Sequence, residues 1–384
     1  MFAAFDRARG QHVRWFAHID WFLLGAALSI SLLGLATMRS FSVENAFFEK
    51  QLVWILIALI LFFIASSLRY DFLRRSSIVT VLYMAIILLL SLVLMFGAVV
   101  KGGQNRFNLG FFAIQPADPA KLILVMVLAK YFARRHVEIA HIRHILISGA
   151  YAFLLFACVF FQPDLGSGIV IAFMWLGLVL VAGISWKHLV ALLLTALIIF
   201  GALWHWGLHP YQKQRILTFI HPLADIHGSG YNAYQAMVAV GSGQVVGKGV
   251  GFGTQSKLRF LPEYQTDFIF ASFAEEWGYF GVMALLGLFS IVILRTLRIA
   301  SHGADNFDML FTAGVAIYIT SQFIVHAGMN LGLFPITGST LPFMSYGGSH
   351  LITEYLALGI VMGLRRRSRP NMRARDETEL LGMV

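Results

Sequence analysis

Trp21-Phe22-Leu23-Leu24-Gly25-Ala26-Ala27-Leu28-Ser29-Ile30-Ser31-Leu32-Leu33-Gly34-Leu35-Ala36-Thr37-Met38 runs from residue 21 to residue 38 without a charge. At about 1.5 Å per helical residue it spans most of a hydrocarbon core about 30 Å thick. Arg7, Arg9 and Arg14 precede it, as basic residues precede a signal peptide. The run is longer than the roughly 7–15 residues of a cleavable signal, and further runs follow, so it reads as the first of several spans. Comparable runs lie near 51–68, 78–100, 119–133, 145–162, 166–183, 188–205, 267–294, 308–327 and 350–364. The fourth is the least regular, starting at Pro119 and carrying Lys121.

The 384 residues are 58% hydrophobic and only 12% charged, where a soluble domain carries about 25% charged residues. The expectation is an all-α integral membrane protein of about ten transmembrane helices. Residues 1–369 would form one polytopic membrane domain and residues 370–384 an unordered polar tail. There is no tandem repeat. The lone Cys158 forms no intramolecular disulfide and reads as packing.

The net charge of +10 is explained by topology, not by nucleic acid. With the amino terminus inside, 19 of the 29 Lys and Arg fall on cytoplasmic segments, 9 on external ones, and Lys121 in a span. Arg69, Arg74, Arg75, Lys130, Arg134, Arg135, Arg143, Arg295, Arg298 and the tail from Arg365 mark the inner side. External short loops carry only Arg39, Lys50, Lys101 and Arg106. Both termini are thereby cytoplasmic, and Trp206–Thr266 becomes a long external loop between helices 7 and 8. Loops of that length are usually functional.

That loop contains Gly241-Ser242-Gly243 and then Gly247-Lys248-Gly249-Val250-Gly251-Phe252-Gly253-Thr254. Such glycine density either lets backbone amides cradle an anion or supplies a turn-rich segment needing positive φ. No Gly-Lys-Ser/Thr closes it, so it is not a Walker loop. Leu261-Pro262-Glu263-Tyr264-Gln265-Thr266-Asp267-Phe268 follows, with Asp267 at the external mouth of the eighth span. A carboxylate there, flanked by aromatics and partly desolvated, suits a general base, but Thr266 and Asp267 also suit a helix cap.

Glu275 and Glu276 lie deeper in the same helix, Glu275 nearer the Asp267 face, and intramembrane acids have a functional or paired role by default. Lys121 can pair with Asp118 three residues earlier, and Lys50 with Asp164 across external helix ends. Gly328-Met329-Asn330 through Pro335, Gly338, Pro342, Ser345 and Ser349 breaks helices at membrane depth, which is tolerated where backbone lines a cavity or is buried. An outward cavity is the expectation, with His326 and Glu354 flanking it as interior polar groups.

Taken in order, Gln115-Pro116 with Lys121, Gln162-Pro163-Asp164-Leu165-Gly166, Ala239 to Gly253, Leu261 to Phe268, Ala274-Glu275-Glu276 and Pro335 to Ser349 resemble the SEDS (shape, elongation, division, sporulation) family over nearly the whole chain. Gly253-Thr254-Gln255-Ser256 is more similar to its elongation branch than to its division branch. The resemblance implies a peptidoglycan glycosyltransferase of the bacterial cytoplasmic (inner) membrane. It would polymerise lipid II, the undecaprenyl-pyrophosphate-linked substrate, at the outer face during cell elongation.

In the scheme the resemblance implies, Asp267 takes the place of the family's essential acid, deprotonating the acceptor's GlcNAc 4-hydroxyl for attack on the donor's anomeric carbon with inversion. Lys50, Arg106, Lys121, Asp164, Lys248, Glu263, Glu275 and Ser345 fall at cavity or charged-support positions. No cofactor is evident, although a divalent cation, Mg or Mn, would suit the leaving pyrophosphate. A class B penicillin-binding protein transpeptidase, rod-complex membrane proteins and membrane lipid are the implied partners. Two other readings stay open: a lipid II flippase, and a division-type member of the same family.

The sequence departs from the family at Ala117-Asp118-Pro119, where Ser-Glu is common, at Tyr264-Gln265, where a His commonly precedes Thr-Asp, and at His326 in place of Asn. Arg106-Phe107-Asn108-Leu109-Gly110 looks one residue shorter than the usual Arg-Trp motif.

Overall fold

The computed structural model describes residues 18–40, 46–74, 76–100, 103–108, 113–134, 142–208, 210–220, 230–258 and 260–380. Arg7, Arg9, Arg14, Arg75, Lys101, Leu109, Gly110 and Arg135, read above for topology or motif, lie outside them.

A helix stands at each of the ten apolar runs. They are α1 (Trp21–Arg39), α2 (Ala46–Ser67), α3 (Ser76–Phe96), α4 (Ala117–Ala133), α5 (Ile142–Phe160), α6 (Leu165–Ala182) and α7 (Trp186–Ala202), then α11 (Ile269–Ala300), α12 (Asn306–Asn330) and α13 (Gly348–Leu380). Three shorter helices, α8 (Pro210–Ile220), α9 (Tyr231–Ser242) and α10 (Thr254–Lys257), occupy the segment between α7 and α11.

Eight of the described helices are long and apolar enough to cross a bilayer. The remaining two runs correspond to α4 and α13. α4 has 17 residues and carries Asp118, Lys121 and Lys130, and α13 joins an apolar half to a polar one. Both are interior helices: Leu124, Val125 and Leu128 of α4 and Leu351, Tyr355, Leu358 and Val361 of α13 are fully buried. A central helix surrounded by protein can carry charge that a lipid-facing one cannot.

α2 packs along α13, α1 and α12 flank α11, and α12 also touches α4 and α6. None of the residues of α7 is buried, so that helix stands at the margin of the bundle.

The all-helical membrane architecture holds, with local detail added. Between α3 and α4 the chain forms short antiparallel strands β1 (Ala98–Val100), β2 (Gly103–Asn108) and β3 (Ala113–Ile114). Runs this brief fall below the reach of hydrophobic periodicity. The long loop contains the three short helices α8, α9 and α10, of which Tyr231–Ser242 carries its own apolar face, burying Ala236 and Ala239. The tail expected to be unordered continues α13 to Leu380, as the backbone ladder propagates from an anchored helix at little cost.

The basic residues assigned to one side do meet at one end. Asp20, capping α1, lies 3.6 Å from Arg295 and 3.4 Å from Arg365. Arg367 lies 3.5 Å from Asp71, and Lys130 donates to the Leu73 carbonyl. Asp267 and the glycine-rich segment belong to the opposite end.

Candidate active site

α11 does not begin with Asp267. Its N-cap is Phe268, which makes no side-chain capping bond, and residues 262–268 form a succession of turns. The cap reading is overturned: the aspartate precedes the helix on a stretch whose conformation is set elsewhere. Glu263 stands in the left-handed region at φ 50°, and its carbonyl accepts the amides of Thr266 (3.1 Å) and Phe268 (3.2 Å). A non-glycine residue held at positive φ costs about 1–3 kcal/mol and persists only when its surroundings fix it.

Those surroundings are the end of α12 and the irregular stretch before α13. Asn330 Nδ2 donates to the Asp267 carbonyl at 3.0 Å and to the His326 carbonyl at 2.9 Å, while its Oδ1 accepts the Ala271 amide at 3.2 Å. Ser345 Oγ donates to the Thr266 carbonyl at 2.8 Å and accepts the Leu341 amide at 2.7 Å. The Tyr346 amide donates to the Gln265 carbonyl at 2.8 Å. Three consecutive carbonyls of the turn are thus tied down, and the half-buried Asp267 carboxylate lies beside Gly338, with Oδ2 3.5 Å from where a Cβ would begin.

The stretch 331–347 is buried at Leu341, Phe343, Met344 and Ser345, the protein-enclosed form of irregular backbone at membrane depth. Its position depends on α2 and α13. Gln51 donates to the Ser345 carbonyl and accepts the Gly347 amide, and Glu354 Oε2 accepts the Phe343 amide at 2.7 Å. The Phe47 ring meets Tyr346 at 5.1 Å and Tyr264 at 6.5 Å. Lys50, exposed one turn further along α2, is therefore on the same side of the bundle as the turn.

Lys50 is not paired with Asp164. Among the described residues no ion pair joins them, because Asp164 caps α6, accepting the Ser167 amide at 3.0 Å and the Gln115 side-chain amide at 2.8 Å. Lys121 and Asp118 do pair, at 3.1 Å and with almost no exposure. Arg106 lies in β2 against the Asn105 side chain, and Glu263 accepts the Thr266 hydroxyl. His326, fully buried, holds the Ser339 carbonyl through Nδ1, and Cys158 packs against the core.

Glu275 turns away from the Asp267 partners and into the glycine-rich segment. The Lys248 ammonium sits 2.6 Å from Oε1, which also accepts the Thr254 amide and hydroxyl at 2.9 Å each, and Oε2 accepts the Gln255 amide at 3.1 Å. The glycine loop does cradle an anion at a helix start, and that anion is the protein's own carboxylate. Its glycines are needed for close approach as well. α11 breaks at Gly278 (φ 62°, ψ −164°): the amides of Lys248 and Gly249 donate to the carbonyls of Glu275 and Glu276 just before it, and the amides of Tyr279 and Phe280 just after it donate to the carbonyls of Gln244 and Val245. A Cβ on Gly247 would lie 2.2 Å from the Glu276 carbonyl oxygen.

Asn330 and Gln51 are the site residues sequence reasoning missed. Asn330 stood inside a quoted motif, but the contact that gives it meaning crosses from α12 to the turn before α11.

A family model described as cell cycle protein, covering FtsW, RodA and SpoVE, matches residues 11–370. Peptidoglycan glycosyltransferase MrdB of Escherichia coli (strain K12) is 39% identical over 284 residues, covering 74% of this chain and 76% of its own. Stage V sporulation protein E of Bacillus subtilis (strain 168) is 34% identical over 340 residues, covering 87% and 91%. A chain from a structure titled for the coordination of polymerization and crosslinking by a peptidoglycan synthase complex superposes with a TM-score of 0.78 at 32% identity, covering 91% of this chain and 98% of that one. The rod shape determining protein RodA of Thermus thermophilus gives 0.69 at 30%, covering 92% and 98%. With the match running through every transmembrane helix and both site segments, this multi-pass membrane chain belongs to the FtsW/RodA/SpoVE family of cell cycle proteins.

Proposed function

We propose that the protein is a peptidoglycan glycosyltransferase that polymerises lipid II on the outer face of the cytoplasmic membrane, in the elongation manner of RodA and not the division manner of FtsW. The names of its relatives support glycosyl transfer, and the observation that carries the residue assignment is the fixed turn around Asp267.

In this reading the Asp267 carboxylate takes the proton of the acceptor's GlcNAc 4-hydroxyl. That oxygen attacks the anomeric carbon of the donor MurNAc as the bond to undecaprenyl pyrophosphate breaks, and the leaving group departs with the electron pair. Configuration inverts, and the proton passes from Asp267 to water. The carbonyl ties from Asn330, Ser345 and Tyr346 keep the base from drifting, which matters because loss of about 1 Å in placement costs roughly a hundredfold. Exposed Lys50 offers a cation to the pyrophosphate, and a class B transpeptidase would crosslink the product.

Lipid II presented to the detergent-solubilised protein with its transpeptidase partner, with products separated by size, tests this reading. Glycan strands are expected. Movement of lipid II across proteoliposome membranes with no strands would replace the transferase by a carrier.

A further inference from the structure

The glycine segment, which the transfer reading does not use, is a folded loop. Gln244, Gly247, Gly249 and Gly251 hold positive φ, and the main chain of residues 244–249 is hydrogen-bonded to α11 on both sides of Gly278. With its backbone engaged by the helix, the loop leaves its large apolar side chains uncovered. Val246 is 77% exposed and Phe252 71%, and Val245 and Val250 are exposed beside them. An apolar cluster of this kind marks a surface that meets something other than water.

The height of the loop says what it meets. Asp20, beside Arg295 and Arg365, marks the inner end of α1, and Ser40 lies twenty residues on, about 30 Å away along a helix and so one hydrocarbon thickness. There the Ser40 hydroxyl donates to Glu276 Oε1, which also accepts the Gly251 amide. The loop therefore sits where α1 leaves the hydrocarbon. Its patch also continues onto α11: the Phe280 amide donates to the Val245 carbonyl, and Tyr279, Phe280 and Met283 are exposed in turn along the span below. Aromatic side chains at that level are the usual mark of the membrane boundary.

The charges agree. Residues 243–258 contain no acid and only two cations, Lys248 and Lys257. Lys248 is held by Glu275, while the exposed Lys257 is at the height of lipid phosphates, with its stem free to lie along apolar surface.

We infer that the glycine loop is a membrane anchor, with Val245, Val246, Val250 and Phe252 inserted among the headgroups and upper acyl chains of the outer leaflet and Lys257 meeting lipid phosphate. The segment between α7 and α11 is then held to the bilayer surface at the break in α11 and does not stand free in water. Satisfaction of the loop's main chain by α11 is what makes this depth accessible to irregular backbone.

Spin labels read the depth directly. The full chain with Cys158→Ala takes a nitroxide at Val246→Cys or Phe252→Cys and is reconstituted in vesicles of phosphatidylethanolamine and phosphatidylglycerol. Met283→Cys on the lipid face of α11 and Ser301→Cys at its inner end give the lipid and water references. Collision with oxygen, relative to collision with a water-soluble nickel complex on both sides of the membrane, should be severalfold higher at Val246 and Phe252 than at Ser301 and should approach Met283. Val250→Cys supplies a third position should either label disturb the loop. Ratios equal to that of Ser301 overturn the anchor. Protection from both collision partners, or spin–spin broadening between copies, would put protein on the patch and overturns it as well. The readout is depth in lipid, so its failure is distinct from any failure of polymerisation.

Discussion

Asn330 reaches back across the bundle to hold the candidate base by its main chain, its Nδ2 lying 3.0 Å from the carbonyl oxygen of Asp267. The same amide accepts from Ala271, the third residue of α11, so one fully buried side chain sets both the turn and the helix that follows it.

Asn330→Ala should therefore separate placement from chemistry. It leaves a carbonyl and an amide unpaired, each costing about 1–3 kcal/mol if they stay buried. Strand formation should fall at least about tenfold while Asp267 remains present. Thermal unfolding should show a folded but less stable protein, and an unchanged polymerisation rate would remove Asn330 from the positioning role.

The Lys248 and Glu275 pair is a test of the glycine loop as a folded part. Lys248→Met strips the cation from a fully buried carboxylate, which keeps its amide and hydroxyl donors, so the expected loss is about 1–3 kcal/mol. Adding Glu275→Gln should cost less than the sum of the single changes. Strict additivity in thermal or denaturant unfolding would show that the two side chains do not interact.

At the centre of the bundle, Lys121→Met should destabilise by about 3–5 kcal/mol because Asp118 is left charged and enclosed. Asp118→Asn together with Lys121→Met should recover part of that. Equal unfolding midpoints for the wild type and Lys121→Met would contradict the buried pair.

Gly278→Ala examines the break in α11. At φ 62° and ψ −164° the backbone is in territory held almost only by glycine, and a methyl would lie 2.2 Å from the Gly247 amide nitrogen. The expected result is a loss above about 2 kcal/mol and faster proteolysis within 243–258, since the loop could no longer seat on the helix. Wild-type protection would mean that the seating tolerates a side chain.

How legible this was in the sequence depends on the range of each interaction. Spans could be read because burial in lipid imposes a long, local signal, and the Lys121 and Asp118 pair because three residues on a helix share a face. The Lys50 and Asp164 pairing failed because the nearby Ser167 amide and the distant Gln115 side chain claimed the aspartate. The glycine loop was open to two readings, and both held in part: it wraps an anion, and it needs positive φ. What no local pattern revealed is that the anion comes from α11 itself, twenty-seven residues from Lys248. The cap reading of Asp267 failed for a related reason, since the turn is shaped by Asn330 and Ser345 from later in the chain.

The most direct test of the account is the initial rate of strand formation from lipid II by the wild type and by Asp267→Asn, both shown folded by equal unfolding midpoints. Removal of a general base should lower the rate by about 10²–10⁴-fold while lipid II binding persists. Equal rates from the two proteins would contradict the assignment of Asp267 and with it the proposed mechanism.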